Sequence, residues 1–144
     1  MKLKLGALCE RVLVDQESNA VSLIGLIDGL VVEGVQESQK PIETPFSGVF
    51  FAVFEAEETE KATSAPMRVS IIAPSGAGST LDADVQFAGE PIARAQVFIR
   101  TLPYEGPGPY SVQIEFRQNG QSTKHSYHFE IRETTNSVAS QLPL

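Results

Sequence analysis

Cysteine occurs once in these 144 residues, at Cys9, and tryptophan does not occur at all. A single thiol excludes an internal disulfide framework and any metal cage built from several cysteines. Histidine is nearly as scarce: His125 and His128 are the two in the chain, so few general bases are on offer. No apolar run approaches the ~20 residues that a membrane helix needs. Basic residues are also short. Eleven Lys plus Arg stand against eighteen Asp plus Glu, a net charge of -7. Nucleic-acid binders need a basic footprint, and docking by charge onto anionic lipid needs one too. Neither partner is expected.

What is present suits one folded domain. Hydrophobic residues make up 42% of the chain and charged residues 20%, which is too apolar for a disordered acidic segment. A chain of about 150 residues buries some 68–70% of its unfolded surface without staples. The opening Met1-Lys2-Leu3-Lys4-Leu5-Gly6-Ala7-Leu8-Cys9 superficially suits a lipoprotein signal. Its apolar run, Leu5 to Leu8, falls short of the ~7–15 residues such a signal carries, and Leu8 is not small. A first strand from about Lys2 to Val14 is the better reading. Cys9 is then a small buried group, and a cytoplasmic location is expected.

The dominant pattern along the chain is an alternation of period two, cut by Gly, Pro and Asn about every ten residues. That is the signature of an all-β fold. The last hairpin is the most explicit. Tyr110, Val112, Ile114 and Phe116 alternate with polar residues, Asn119-Gly120 forms a type I′ turn, and Tyr127, Phe129 and Ile131 alternate again. A two-residue turn puts Gln118 opposite Gln121, Ile114 opposite His125, Val112 opposite Tyr127 and Tyr110 opposite Phe129. Both apolar sets then share a face, which a one-residue slip would prevent. Met67, Val69 and Ile71 lead through Ala73-Pro74-Ser75-Gly76 to Leu81, Ala83, Val85 and Phe87, a second hairpin. A strand from about Ile92 to Leu102 follows.

Residues Val21 to Val32 read as one strand with a bulge or bend at Gly25 and Gly29. Gly48 to Phe54 is apolar on both faces. Such a strand is either central and covered twice or presents one face to another chain. Glu55 to Lys61 is an acidic loop. The expected architecture is a two-layer antiparallel β-sandwich of about eight strands, within a range of 7–9, of immunoglobulin-like type. It occupies residues 1–132, with a loose tail at 133–144. Tyr110 follows the stiff loop Leu102-Pro103-Tyr104-Glu105-Gly106-Pro107-Gly108-Pro109. It is either a tyrosine corner, its hydroxyl bonded back to that loop, or a plain core aromatic. The structural positions singled out are Tyr110, Asn119 and Gly120.

No constellation for chemistry emerges. His125 and His128 lie three apart on one strand and point to opposite faces: His125 is expected semi-buried, His128 on the surface. Cys9 has no histidine near it in sequence, and no Gly-x-Ser-x-Gly elbow occurs. Pro74-Ser75-Gly76-Ala77-Gly78-Ser79-Thr80 lacks the lysine of a phosphate loop and sits between strands. Asp15-Gln16-Glu17-Ser18-Asn19 opens like a calcium loop but has Ala20 where glycine and Leu26 where glutamate are required, so it reads as a turn. Asp82 and Asp84 share a strand face, which suits a solvated surface better than a cation site. No catalytic residue, cofactor or metal is expected.

Cys9-Glu10-Arg11-Val12-Leu13-Val14-Asp15, followed by Ser18-Asn19-Ala20-Val21-Ser22-Leu23-Ile24-Gly25-Leu26-Ile27-Asp28, resembles the opening of a family of small bacterial proteins of uncharacterised function. Ala73-Pro74-Ser75-Gly76 and Gly108-Pro109-Tyr110 resemble that family's later turns, so the resemblance runs from about Leu3 to Ile131. It implies a compact β domain and carries no activity, cofactor or site residue.

The functional expectation is therefore a non-catalytic interaction or assembly module that self-associates as a homo-oligomer. Its interface is expected on the doubly apolar strand, at Val49, Phe50, Phe51, Val53 and Phe54. Two other classes stand beside it. One is a structural subunit of a phage or particle-like assembly, which rests on fold analogy. The other is a small-molecule binder, in which His125, Asp28 and the loop around Tyr104 would converge on an apolar pocket.

Overall fold

Residues 1–33, 40–58 and 63–134 are described in the computed structural model. Nine strands account for their regular structure: β1 (Lys2–Val14), β2 (Val21–Leu26), β3 (Gly29–Glu33), β4 (Ile42–Glu55), β5 (Ser64–Ile72), β6 (Gly78–Gln86), β7 (Ile92–Tyr104), β8 (Gly108–Gln118) and β9 (Gln121–Thr134). They form a four-stranded sheet in the order β2-β1-β4-β7 and a five-stranded sheet in the order β3-β9-β8-β5-β6. The two sheets make the layers of a β-sandwich.

The β8–β9 hairpin has the register that its alternation dictates: Gln118 pairs with Gln121, Ile114 with His125, Val112 with Tyr127 and Tyr110 with Phe129. Asn119 and Gly120 both have positive φ, 53° and 76°, as a type I′ turn requires. The β5–β6 hairpin pairs Val69 with Leu81 and Met67 with Ala83, so its apolar residues also share one face. β1 runs from Lys2 to Val14, as expected.

Three expectations need correction. Val21 to Val32 is not one strand. Gly25 takes a φ of 69°, and a Cβ there would run into the Glu10 side chain. Past it, Ile27 and Asp28 carry the chain from one sheet to the other: the Ile27 amide donates to Leu8 and the Asp28 carbonyl accepts from Glu130. The apolar run is therefore divided between β2 and β3. β3 then pairs with β9 in parallel, so the sandwich is not antiparallel throughout. At the other end, β9 continues through Glu133 to Thr134, past the expected boundary at 132. The remaining tail, 135–144, lies outside the described residues.

The core fills the space between the sheets. Phe50, Ala52 and Phe54 of β4 meet Val112, Ile114 and Phe116 of β8 and Phe129 and Ile131 of β9 in one buried cluster. Aromatic pairs organise it. Phe54 meets Phe116 edge-on at 5.2 Å, Phe50 meets Tyr127 at 5.1 Å, and Tyr110 stacks on Phe129 at 5.9 Å. Each fully buried phenylalanine among them contributes roughly 1.5–3 kcal/mol through burial alone, with about 0.5–1.5 kcal/mol more for well-placed pairs. Gly6 on β1 lets Tyr127 reach across, because a Cβ at that position would overlap the Tyr127 hydroxyl.

Candidate interaction site

β4 is central in its sheet, hydrogen-bonded to β1 on one side and β7 on the other. Its residues alternate. Phe50, Ala52 and Phe54 join the core, which turns Val49, Phe51 and Val53 to the outer face. That outer face is also closed: Val49 is buried and Phe51 is 1% exposed, while Val53 is half-buried. Of the five residues expected to form an interface, Phe50 and Phe54 lie in the core, Val49 and Phe51 are covered from outside, and Val53 keeps some surface.

The hairpin of β1 and β2 explains the outer cover. β1 pairs with β4 only as far as Cys9, and from Arg11 to Val14 it pairs with β2 alone. The two strands leave the sheet there as an arm. Arg94 stands on the outer face of β7, paired with Val53, and its guanidinium donates to the Asn19 carbonyl at 2.8 Å and to Asn19 Oδ1 at 3.3 Å. The tip of the arm therefore lies over the outer face. Glu10, Arg11 and Val12 share a cleft with Val49, Gln96 and Phe98. At the tip, Asp15 Oδ1 accepts the amides of Glu17 and Ser18, each at 2.9 Å. Those bonds hold its carboxyl below the usual range, Ser18 contributing most. The segment that opens like a calcium loop is a turn of its own making.

Register places Leu26, Cys9, Val49 and Phe98 in one row across all four strands of this sheet. The middle two are buried and the ends are open: Leu26 is 69% and Phe98 61% exposed. The Cys9 thiol donates to the Val49 carbonyl, and burial pushes its pKa up. A raised pKa makes it a poor nucleophile at neutral pH.

The other singled-out residues are spread through the fold. Tyr110 is a true corner: its hydroxyl donates to the Gly106 carbonyl at 2.8 Å and accepts the Glu105 amide at 2.9 Å. Tyr104 stacks on it and donates to Glu133, which also takes Lys40 at 2.9 Å. Asp28 sits at the β2–β3 corner beside Glu130. His125 is exposed rather than semi-buried, with its ring stacked on Phe116 at 5.7 Å. His128 is exposed, as expected. His125 and Glu133 lie eight residues apart on β9, about 26 Å at ~3.3 Å per residue, so His125 does not join Tyr104 in a pocket. Asp82 is paired with Arg68 at 2.8 Å. The Ser75 amide and hydroxyl both donate to the Glu105 carboxylate, so the glycine-rich loop is closed by the chain's own anion. Among the described residues no group of three His, Cys, Asp or Glu is placed to hold a metal, and no helix is long and apolar enough to cross a membrane.

Sequence reasoning missed the edges. β6 and β7 end their sheets on the same side of the sandwich, joined by the short connection 87–91. Leu81 of β6 shares the face of buried Val85, yet it is 52% exposed. It lines a cleft with Val69, Ile71, Val97 and Ile99 between the two edges. Which strands are terminal depends on strand order, and local periodicity does not carry that. The available signal was the charge: β7 turns Arg94 and Arg100 outward, and β6 turns Asp82 and Asp84.

Compared with known proteins, the chain matches no family model, and no curated protein matches it at a significant level. The resemblance to the uncharacterised bacterial family rests on the quoted residues alone.

Proposed function

We propose that this protein is a non-catalytic, immunoglobulin-like β-sandwich that acts as an interaction or assembly module and associates with itself. The observation that carries the reading is the open flank between β6 and β7. There, Leu81, turned toward the core face of its sheet, and Phe98 on the next edge both stand more than half exposed. Edge strands present rows of unpaired amides and carbonyls, and large exposed apolar side chains beside them mark contact surfaces. The tyrosine corner at Tyr110 supports the immunoglobulin-like part of the reading. A free, buried Cys9 suits the reducing cytoplasm.

Sedimentation velocity across a wide concentration range tests the reading. Reversible dimers or larger species are expected. A strict monomer at the highest concentration would remove self-association.

A further inference from the structure

The two edges on this flank, β7 and β6, carry opposite charges. β7 pairs with β4 alone and β6 with β5 alone among the described residues. The outward set on β7 is Arg94, Gln96, Phe98 and Arg100. The outward set on β6 is Thr80, Asp82, Asp84 and Gln86. Each edge is thus charged with a single sign. Charged side chains on an edge usually serve to block pairing with other chains. Here they block β7 from β7 and β6 from β6, since like charges on adjoining strands destabilise. They favour β7 against β6. Arg94 is held by Asn19 and Asp82 by Arg68, but Arg100 and Asp84 make no ion pair among the described residues.

Both edges lie on one flank, so a single two-fold axis running along the strands brings each β7 beside the β6 of a second copy. We infer that the partner is a second copy of this chain, and that the dimer forms by this reciprocal edge pairing. The inference rests on the self-association reading above and specifies its geometry. Four strands of one copy continue into five of the other, giving two sheets of nine strands. The contact is isologous, so it closes at two copies and leaves no edge on that flank for a third. It also covers Leu81 and Phe98 and joins the two copies of the cleft between Val69 and Val97. Backbone hydrogen bonds supply affinity, as in other strand additions, and the charges fix which edges meet.

Charge reversal tests this directly. Arg94→Asp with Arg100→Asp makes both edges acidic. Asp82→Arg with Asp84→Arg makes both basic. The wild type should be a dimer by light scattering, and each doubly substituted protein alone should be a monomer or dimerise at least about tenfold more weakly. An equimolar mixture of the two should recover dimers, which native mass spectrometry should show to be heterodimers. Thermal melts check that each variant is folded. Where a double variant is not, Arg100→Asp and Asp84→Arg replace it and should behave likewise. A wild-type dimer that both reversals leave unchanged would refute edge pairing and leave self-association standing. Reversals that weaken the dimer without rescue on mixing would refute the reciprocal pairing. A monomeric wild type would remove both readings together.

Discussion

Tyr110 closes the loop that precedes it by donating its hydroxyl to the carbonyl of Gly106, four residues earlier, from a position that is 1% exposed. The same oxygen accepts the Glu105 amide. One side chain thereby satisfies two main-chain groups that would otherwise be buried at the start of β8. Tyr110→Phe keeps the ring stacked between Tyr104 and Phe129 and removes only the hydroxyl. The expected loss is about 1–3 kcal/mol, read as a lower urea midpoint with an unchanged slope. An unaltered midpoint would mean that the loop holds itself.

Phe51 faces away from the core cluster yet is covered. Phe51→Asp buries an unpaired charge and should cost several kcal/mol, read as a much lower melting temperature. Phe51→Leu keeps an apolar cover and should remain folded. Circular dichroism on the pair distinguishes a buried position from a free surface, where both variants would melt like the wild type.

Gly6 and Tyr127 are coupled by close approach. Gly6→Ala should destabilise by about 1–3 kcal/mol through overpacking. Most of that loss should vanish in the background of Tyr127→Leu, which withdraws the ring. A double-mutant cycle with no coupling would show that the strands shift apart instead.

Burial raises the pKa values of Cys9, Tyr110 and Tyr127. In each case the folded state holds its proton longer than the unfolded chain does. Their contribution to stability is full below the ordinary values, about 8.5 for cysteine and 10 for tyrosine. It is lost as pH rises through the higher folded values. Stability should therefore fall on the alkaline side, and Tyr127→Phe should flatten that fall. Denaturant titrations at a series of pH values measure the slope; a slope that Tyr127→Phe leaves unchanged above pH ~10 would contradict the assignment.

Arg94 ties the β1–β2 arm across the sheet. Arg94→Ala should loosen the tip while leaving the sandwich intact. Hydrogen exchange should quicken in the arm, from Glu10 to Gly25, and stay slow in β4 and β8. Uniform protection in both proteins would show that the arm is held by its own packing.

The residues explain which parts of this fold were legible beforehand. Asn119-Gly120 specifies its turn locally, and the alternation on either side sets the register, so the β8–β9 hairpin follows from the sequence. Gly48 to Phe54 announces cover on both faces, but not its source: the outer cover comes from an arm whose strands are distant in sequence. Val21 to Val32 is apolar except at Ser22, Gly25, Asp28 and Gly29, and those interruptions suit a bend within one strand as well as a crossing between two sheets, so the local pattern does not decide between them. The open edges escaped for a related reason. Asp82 and Asp84 look like any solvated face until β6 is known to be terminal and opposite β7.

The parallel pairing of β3 with β9 also bears on how the chain acquires its structure during synthesis. β3 is completed by residue 33, but its partner emerges only with residues 121–134. Until then Leu30 and Val32 have no sheet to join. Contacts so far apart along a chain form slowly, and unpaired apolar strands are exposed to misassociation while they wait. Closure of the five-stranded sheet is thus expected as the final folding event. Substitutions in β3 should chiefly hasten unfolding and leave the folding rate nearly unchanged.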